Sequence, residues 1–198
     1  MKIELDKVSK KYGSQWIYRG VSAVFESGGR YAITGANGSG KSTLLKVISG
    51  MVTPNEGKVI YTHSGATIPA DEIYQHISYS APYLDLPEEL TVAEMVAFHQ
   101  QMRALHGITA ADLLKAIDIP ATKEIRDCSS GMKQRVKLAL AYYTKSDILL
   151  LDEPTANMDH HWRDWTNVLV KNDPQQRVVI ICSNEEYEYE GAEIVVRL

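Results

Sequence analysis

The chain has 198 residues, of which 44% are hydrophobic and 23% are charged, and its formal net charge is −4 at pH 7. This length and composition are typical of one globular domain with a substantial apolar core. The weakly acidic balance, without a run of lysine and arginine, speaks against a nucleic-acid partner. The charged amino-terminal segment is unlike a signal peptide, and the apolar runs are far shorter than a bilayer span. The two cysteines, Cys128 and Cys182, indicate reduced thiols rather than a metal site.

The first third of the chain predicts strands. The segments "KIELDKV" and "GVSAVFES" alternate imperfectly, and "RYAIT" is a short apolar strand that ends at Gly35. The segment "STLLKVISG" then predicts a helix that ends at Gly50. Two further strands, "GKVIYTH" and "HISYSA", are expected after it.

Helices are predicted from residue 87 to residue 144. Thr91 and Glu94 form a capping box for a first helix, which Gly107 ends and whose apolar face includes Met102. Thr109 begins the next helix.

The strands "ILLLD", "RVVIIC" and "EIVVRL" follow, with the helix "HHWRDWTNVLVK" between the first two, and their continuous apolar runs fit a sheet buried on both faces. We therefore predict one α/β domain, with a core of residues 1–86 and 145–198 and a helical subdomain of residues 87–144.

A phosphate loop is the most specific motif. "GANGSGKST" matches the pattern G-x-x-x-x-G-K-[ST] between a predicted strand and a predicted helix. Its backbone amides can form an anion site at the positive end of the helix, while Lys41 reaches the β- and γ-phosphates and the Ser42 hydroxyl binds Mg²⁺. A glycine-rich turn that matches by accident is the alternative. The predicted nucleotide contacts are Gly35, Asn37, Gly38, Ser39, Gly40, Lys41, Ser42 and Thr43.

An acid pair follows the buried run "DILLLD". In a parallel sheet, the carboxyl ends of the strands are where ligand sites gather. Asp152 is predicted to hold Mg²⁺, and Glu153 to polarise a water for attack on the γ-phosphate of ATP. The alternative is a strand that simply ends in two solvated acids.

The order of these motifs, together with "CSSGMKQR", "TANMD" and "VVIICSN", resembles the nucleotide-binding domains of ATP-binding cassette (ABC) proteins over nearly the whole chain. The resemblance implies a P-loop NTPase (RecA-like) core with a mixed sheet, an antiparallel amino-terminal part and an inserted helical subdomain. It also implies that Ser129 and Gly131 contact ATP on a second copy or on a homologous cassette subunit, head to tail around two nucleotides. The same resemblance makes Tyr12 a candidate to stack on adenine, where the alternative is a tyrosine in an ordinary turn.

Three motifs depart from the family pattern. The signature carries Ser130 and Met132 where a glycine and a glutamine are usual. Pro82 falls where the family has a glutamine that touches Mg²⁺; a shift of one position would place Tyr83 there, and Ser80, Tyr83 and Asp85 are weak substitutes. Asn184 falls where the family has a histidine that contacts the γ-phosphate. An amide can donate a hydrogen bond but cannot become a cation near neutral pH. We therefore predict a slow ATPase, with Glu153, Lys41 and Asn184 in the catalytic site.

The function implied by the resemblance is that of the ATP-hydrolysing subunit of an ABC transporter, peripheral on the cytoplasmic face of the membrane. Such a subunit drives a separate transmembrane permease, which docks on the tract from Pro82 to Glu94. The short chain resembles the small cassette subunits of exporter-type systems, including the haem-exporter kind.

Two other functions are considered. A soluble ABC ATPase acting on DNA, ribosomes or cluster assembly would be favoured by tandem cassettes, long heptads or a basic face, which the sequence lacks. A non-enzymatic ATP-dependent switch, as the weaker half of an asymmetric pair, is the other hypothesis. The adjacent His160 and His161 are interpreted as a solvated helix start rather than as metal ligands.

Overall fold

The computed structural model describes the backbone of residues 1–198 and the side chains of all residues except 194 and 195. The chain forms two compact units, the first of residues 1–77, 146–152 and 176–198, and the second of residues 78–145 and 153–175. The strands are β1 (Lys2–Tyr12), β2 (Gln15–Glu26), β3 (Arg30–Thr34), β4 (Glu56–His63), β5 (Ala66–Ile68), β6 (Ile77–Ser80), β7 (Ile148–Asp152), β8 (Val178–Cys182) and β9 (Glu193–Arg197). The α-helices are α1 (Lys41–Ile48), α2 (Val92–Met102), α3 (Ala110–Ala116), α4 (Ser130–Tyr143) and α5 (His160–Lys171). Within the part of the chain so described, every helix is too short or too polar to cross a membrane.

An antiparallel sheet with the order β2-β1-β4-β5 lies in the first unit. Strand β1 buries Ile3, Leu5 and Val8, so its inward positions are two and then three residues apart. The pairing with β2 shifts register between Leu5 and Val8, and Lys7 has a φ of 49°. This is a β-bulge, in which one extra residue restores the inward face. The bulge is the physical reason for the imperfect alternation in "KIELDKV".

The second sheet has the order β6-β7-β8-β3-β9. Its pairs β7–β8, β8–β3 and β3–β9 are parallel. Every residue of β7 and β8 is buried, which explains why both strands are uninterrupted apolar runs. Helix α1 packs against both strands. The predicted fold class, an α/β core with an antiparallel part and a parallel sheet, is confirmed.

The second unit has its own apolar core beneath α2, α3 and α4. Its buried members are Val92, Met95, Val96, Leu113, Ile117, Ile119, Ile125, Cys128, Val136, Ala139 and Leu140. Helix α2 begins with the predicted capping box, in which the Glu94 amide donates to Thr91 Oγ1 at 3.2 Å and the Thr91 amide donates to Glu94 Oε2 at 2.8 Å. Thr109 caps α3 by accepting from the Asp112 amide at 3.1 Å. Each such cap contributes about 1 kcal/mol to stability.

The predicted end of the first of these helices is wrong. Helix α2 ends at Met102 rather than at Gly107. The residues after it leave the helical path because Leu105 forms an antiparallel bridge with Thr144. Met102, predicted to lie in the core, is 68% exposed, since the chain turns away at that residue.

Helix α5 groups with the helical unit, whereas the predicted division placed residues 145–198 with the core. Two tryptophans of α5 explain the grouping. Trp165 packs against the apolar core of the second unit, and the Arg135 guanidinium lies 3.9 Å from the ring centroid of Trp162. Contacts of this kind join residues that are distant in sequence, so local sequence patterns do not predict them.

His99 on α2 is expected to make stability depend on pH. Its Nε2 lies 2.7 Å from Thr144 Oγ1, and burial, with a smaller effect of Arg103, lowers its pKa from the ordinary value of about 6.5. Below pH 6.5 the unfolded chain therefore binds more protons at this residue than the folded protein, and the free energy of unfolding falls as the pH falls. Thermal unfolding should show a smaller drop in Tm between about pH 7 and pH 5 for His99→Gln than for the wild type. Equal drops would contradict this assignment.

Candidate nucleotide-binding site

The phosphate loop lies at the carboxyl edge of the parallel sheet. It follows β3 directly, and in this sheet Ile33 pairs with Cys182, which in turn pairs with Asp152. The loop, Asp152 and the segment that begins at Ser183 therefore leave the sheet at one edge. This is the edge at which ligands bind in open parallel sheets.

Two glycines of the loop lie where a side chain would not fit. Gly35 has a φ of 150° and Gly40 a φ of 104°. A Cβ would lie 2.4 Å from the carbonyl oxygen of Leu198 at the first position, and 2.4 Å from Ile17 Cγ2 at the second. Gly40 immediately precedes α1, so the unpaired amides of the helix start are presented at the loop.

Lys41 and Ser39 place polar groups inside the loop. Lys41 is 5% exposed, and its ammonium donates to the carbonyl oxygens of Gly35 at 2.8 Å and Ala36 at 3.2 Å. The Ser39 hydroxyl is buried and has no hydrogen-bond partner among the described residues. A bound anion would stabilise this buried ammonium and would give the hydroxyl an acceptor.

Ser42 and Asp152 are the candidate oxygen donors for Mg²⁺. Ser42 lies in the first turn of α1, and Asp152 is the last residue of β7, against which α1 packs. Asp152 is only 1% exposed. A buried carboxylate is unfavourable unless a nearby cation or hydrogen bonds stabilise its charge. Hydroxyl and carboxylate oxygens are the ligands that Mg²⁺ prefers, so the residues present fit the ion.

Glu153 belongs to the second unit and has an unusual backbone conformation. Its φ is 42°, and Asn157 nearby in the chain has a φ of 63°. Residues other than glycine seldom adopt this left-handed region, and such strain concentrates at functional sites. Asp159, at the end of the same segment, caps α5 by accepting from the Trp162 amide at 3.1 Å.

The signature segment forms the start of α4. Ser129 is the cap, and its hydroxyl oxygen accepts from the Met132 amide at 3.2 Å. That bond leaves the hydroxyl proton able to donate to an anion. A Cβ at Gly131 would lie 2.6 Å from the carbonyl oxygen of Asn157, so this position requires glycine. The side chain of Ser130 is exposed.

Helix α4 also provides two residues that the sequence analysis missed. Lys137 Nζ donates to the carbonyl oxygens of Pro82 at 2.7 Å and Leu84 at 3.1 Å, and burial lowers its pKa. Gln134 is 1% exposed and donates to the carbonyl oxygen of Pro154 at 3.1 Å. Helix α4 thus holds the backbone of the loop at Pro82, where the side chain itself is apolar. In the sequence, these two roles are indicated by the polar residues Gln134 and Lys137 on a helix that is otherwise largely buried.

A cavity of about 450 Å³ lies beside this loop within the second unit, and Pro82, Leu84, Lys133 and Lys137 are among the residues that line it. Lys133 Nζ also forms an ion pair at 2.7 Å with Glu88, another residue of the lining. The cavity therefore has both charged and apolar walls.

Tyr12 and Asn184 lie in the first unit and are both exposed. Tyr12 ends β1 and is 53% exposed, with Lys10 Nζ 5.2 Å from the centroid of its ring. Asn184 follows the buried Ser183, whose hydroxyl accepts from the Glu185 amide at 2.9 Å. Both side chains are accessible to a ligand, and their roles stay predictions.

The fold and the loop together define the class of P-loop nucleotide-binding proteins. A family model described as "ABC transporter" matches residues 18–156. The chain belongs to this family, and its class is that of the ABC ATPases. An ABC transporter ATP-binding protein from Pyrococcus furiosus has the same fold, with a TM-score of 0.84 at 23% identity, over 100% of this chain and 98% of that one. The cassette MJ0796, solved as a dimer in a post-hydrolysis state with ADP and Pi, has a TM-score of 0.80 at 24% identity, over 94% and 90% of the two chains.

Curated relatives are of the same kind. The chain is 30% identical to the sulfate/thiosulfate import ATP-binding protein CysA of Thermosynechococcus vestitus, over 99% of this chain and 61% of that protein. It is 28% identical to the uncharacterized ABC transporter ATP-binding protein YybJ of Bacillus subtilis, over 94% of this chain and 86% of that protein. The chain spans about 40–61% of the length of the first four relatives.

Proposed function

We propose that the chain binds and hydrolyses Mg-ATP as the ATP-binding subunit of an ABC transporter. The observation that carries the proposal is the meeting of the phosphate loop, Asp152 and the segment after β8 at one edge of a parallel sheet. The family supports it, since the relatives include ATP-binding proteins that are named for import and for export.

In this proposal the loop amides and Lys41 bind the phosphates of ATP, while Ser42 and Asp152 hold Mg²⁺. An ion held by these two residues would neutralise phosphate charge. Glu153 accepts a proton from the attacking water, and Asn184 donates a hydrogen bond to the γ-phosphate. The exposed ring of Tyr12 stacks on adenine.

A second cassette completes the site. Ser129 and Gly131, at the exposed start of α4, contact the nucleotide held by a second copy or by a homologous cassette subunit. The positive end of α4 and the free proton of the Ser129 hydroxyl suit a phosphate. The MJ0796 cassette, which has the same fold, was solved as a dimer, and this is consistent with a second cassette.

The membrane partner is a separate permease on whose cytoplasmic side the chain is bound. Its docking surface is the tract from Pro82 to Glu94, which borders the cavity described above. Because Lys137 holds two carbonyl oxygens of this tract, movement of the tract is transmitted to α4 and so to Ser129. The exporter-type assignment stays a prediction, as the relatives include importers and exporters.

The test is Mg-ATP hydrolysis by the purified chain over a range of protein concentrations. Specific activity should rise with concentration, because each nucleotide needs Ser129 and Gly131 of another subunit. Lys41→Ala, which removes the phosphate-binding ammonium, is the background control. Activity that is the same at every concentration would contradict the shared site, and activity equal to the control would contradict hydrolysis.

A second candidate function is a switch that closes on ATP with little turnover. Asn184, Met132 and Pro82 in place of polar or charged family residues favour it. In that case ATP should dimerise the chain while phosphate release stays at the level of Lys41→Ala. A second, more regular cassette subunit that copurifies with the chain would identify the asymmetric pair.

A further inference from the structure

Three side chains that bind metals in proteins converge in the first unit, away from the phosphate loop. They are His63, His76 and Asp147. Asp147 immediately precedes β7, whereas Asp152 ends it, so the cluster lies at the amino edge of the parallel sheet. A strand of five residues is about 16 Å long, which separates the cluster from the candidate nucleotide site.

The backbone holds each residue of the cluster in place. His63 is the last residue of β4 and pairs with Ala66 across a turn in which Ser64 and Gly65 have φ values of 51° and 84°. Two positive φ values are typical of a tight hairpin turn, which fixes the end of the strand. The carbonyl oxygen of His76 accepts from the amides of Asp147 at 2.9 Å and Ile148 at 3.0 Å. The three positions are therefore set by main-chain hydrogen bonds.

The side chains place their ligand atoms close together. His76 Nδ1 lies 2.6 Å from Asp147 Oδ2, and His63 Nδ1 lies 3.8 Å from Asp147 Oδ1. One ligand atom from each residue lies within 4.8 Å of the others, and the two imidazole centroids are 5.5 Å apart. A structural histidine–aspartate pair would account for His76 and Asp147. It does not account for His63 Nδ1, which is buried and makes no hydrogen bond among the described residues.

We propose that His63, His76 and Asp147 bind one divalent transition-metal ion of the Zn²⁺ type. Tetrahedral Zn²⁺ holds imidazole nitrogen and carboxylate oxygen at about 2.0–2.2 Å, which puts neighbouring ligand atoms about 3.4 Å apart. The ligand atoms of the cluster lie within 4.8 Å of one another, which is close to that spacing. Two imidazoles select Zn²⁺ over Mg²⁺, which prefers oxygen ligands.

Partial exposure makes the site accessible. The side chains of His63, His76 and Asp147 are 40%, 28% and 38% exposed. An ion can therefore enter from solvent, and water completes its coordination. Since the ion would join β4 to the segments before β6 and β7, its binding stabilises the first unit. Metal binding at this cluster requires no ATP hydrolysis.

The test is titration of the metal-free full-length chain with Zn²⁺ by calorimetry, and with Co²⁺ followed by its visible absorption. We expect one equivalent to bind, an absorption spectrum of tetrahedral Co²⁺, and a rise in Tm on binding. His63→Ala and Asp147→Asn should each weaken binding by at least about tenfold, the loss that even altered supporting residues of metal sites produce. The double variant His160→Ala/His161→Ala, which removes the adjacent imidazoles, should bind as the wild type does.

Unfolding curves without metal establish that the variants fold. A folded His63→Ala protein that binds Zn²⁺ as tightly as the wild type would overturn the proposal. Loss of binding in the double variant of His160 and His161, with binding retained in His63→Ala, would place the ion on α5 and would overturn it as well.

Discussion

Glu153→Gln is expected to lower the rate of ATP hydrolysis by about 10²–10⁴-fold while ATP still binds, since this is the usual contribution of a general base. Glutamine has nearly the size of glutamate but cannot accept a proton from the attacking water. It also removes a negative charge that would face the γ-phosphate, so the ATP-bound dimer should accumulate. Phosphate release measures the first effect, and gel filtration with Mg-ATP measures the second.

The matched control is Glu72→Gln, the same chemical change at an exposed carboxylate in the first unit. It should hydrolyse ATP at the wild-type rate. Glu153→Gln retaining more than about a tenth of the wild-type turnover would contradict the role of Glu153 as the base, because a base contributes at least about 10²-fold. Loss of ATP binding in this variant would instead mean that the carboxylate supports the fold of the strained segment in which its φ is 42°.

Local chemistry explains why several elements of the fold could be predicted from sequence. The capping box of Thr91 and Glu94 and the cap at Thr109 depend on residues at most three positions apart, and both are present. The phosphate loop requires a strand before it and a helix after it, and both are seen at 30–34 and 41–48. Patterns of this kind act within one turn or one strand, so they are visible in a short window of sequence.

Contacts between distant segments could not be predicted in the same way. Lys137 supports the loop at Pro82 from 55 residues away, and Gln134 reaches Pro154 from 20 residues away. The predicted end of α2 was wrong because the pairing of Leu105 with Thr144, rather than a local stop signal, determines where the helix ends. These features depend on tertiary contacts, which local propensity does not predict.

The cluster of His63, His76 and Asp147 shows the same limit for a site. His76 and Asp147 are 71 residues apart in sequence and share no spacing rule of a known metal motif. They meet because the amides of Asp147 and Ile148 both donate to the carbonyl oxygen of His76. The carboxyl edge was predictable, in contrast, because the phosphate loop and the pair Asp152–Glu153 each carry a motif of their own.

Asn184→His is expected to raise the rate of ATP hydrolysis by about tenfold to a hundredfold. The side chain at 184 is exposed at the carboxyl edge of the sheet, after β8, and so it can be exchanged without repacking the core. A histidine there donates a hydrogen bond that can carry charge. Where charge develops on the phosphate, such a bond stabilises the transition state by about 1–3 kcal/mol more than a weak or missing hydrogen bond does. That difference corresponds to the expected rate.

Three further measurements test whether residue 184 contacts the γ-phosphate. Asn184→Ala should be slower than the wild type, because it removes the remaining donor, while Asn172→His at the exposed end of α5 should leave turnover unchanged. The gain of Asn184→His should fall as the pH rises through the range in which imidazole loses its proton, whereas the wild type has no such loss at this residue. A rate for Asn184→His equal to that of the wild type at every pH would mean that residue 184 does not face the γ-phosphate. If turnover is slow, the cause would then have to be Pro82 and Met132, and therefore the loop and helix of the second unit.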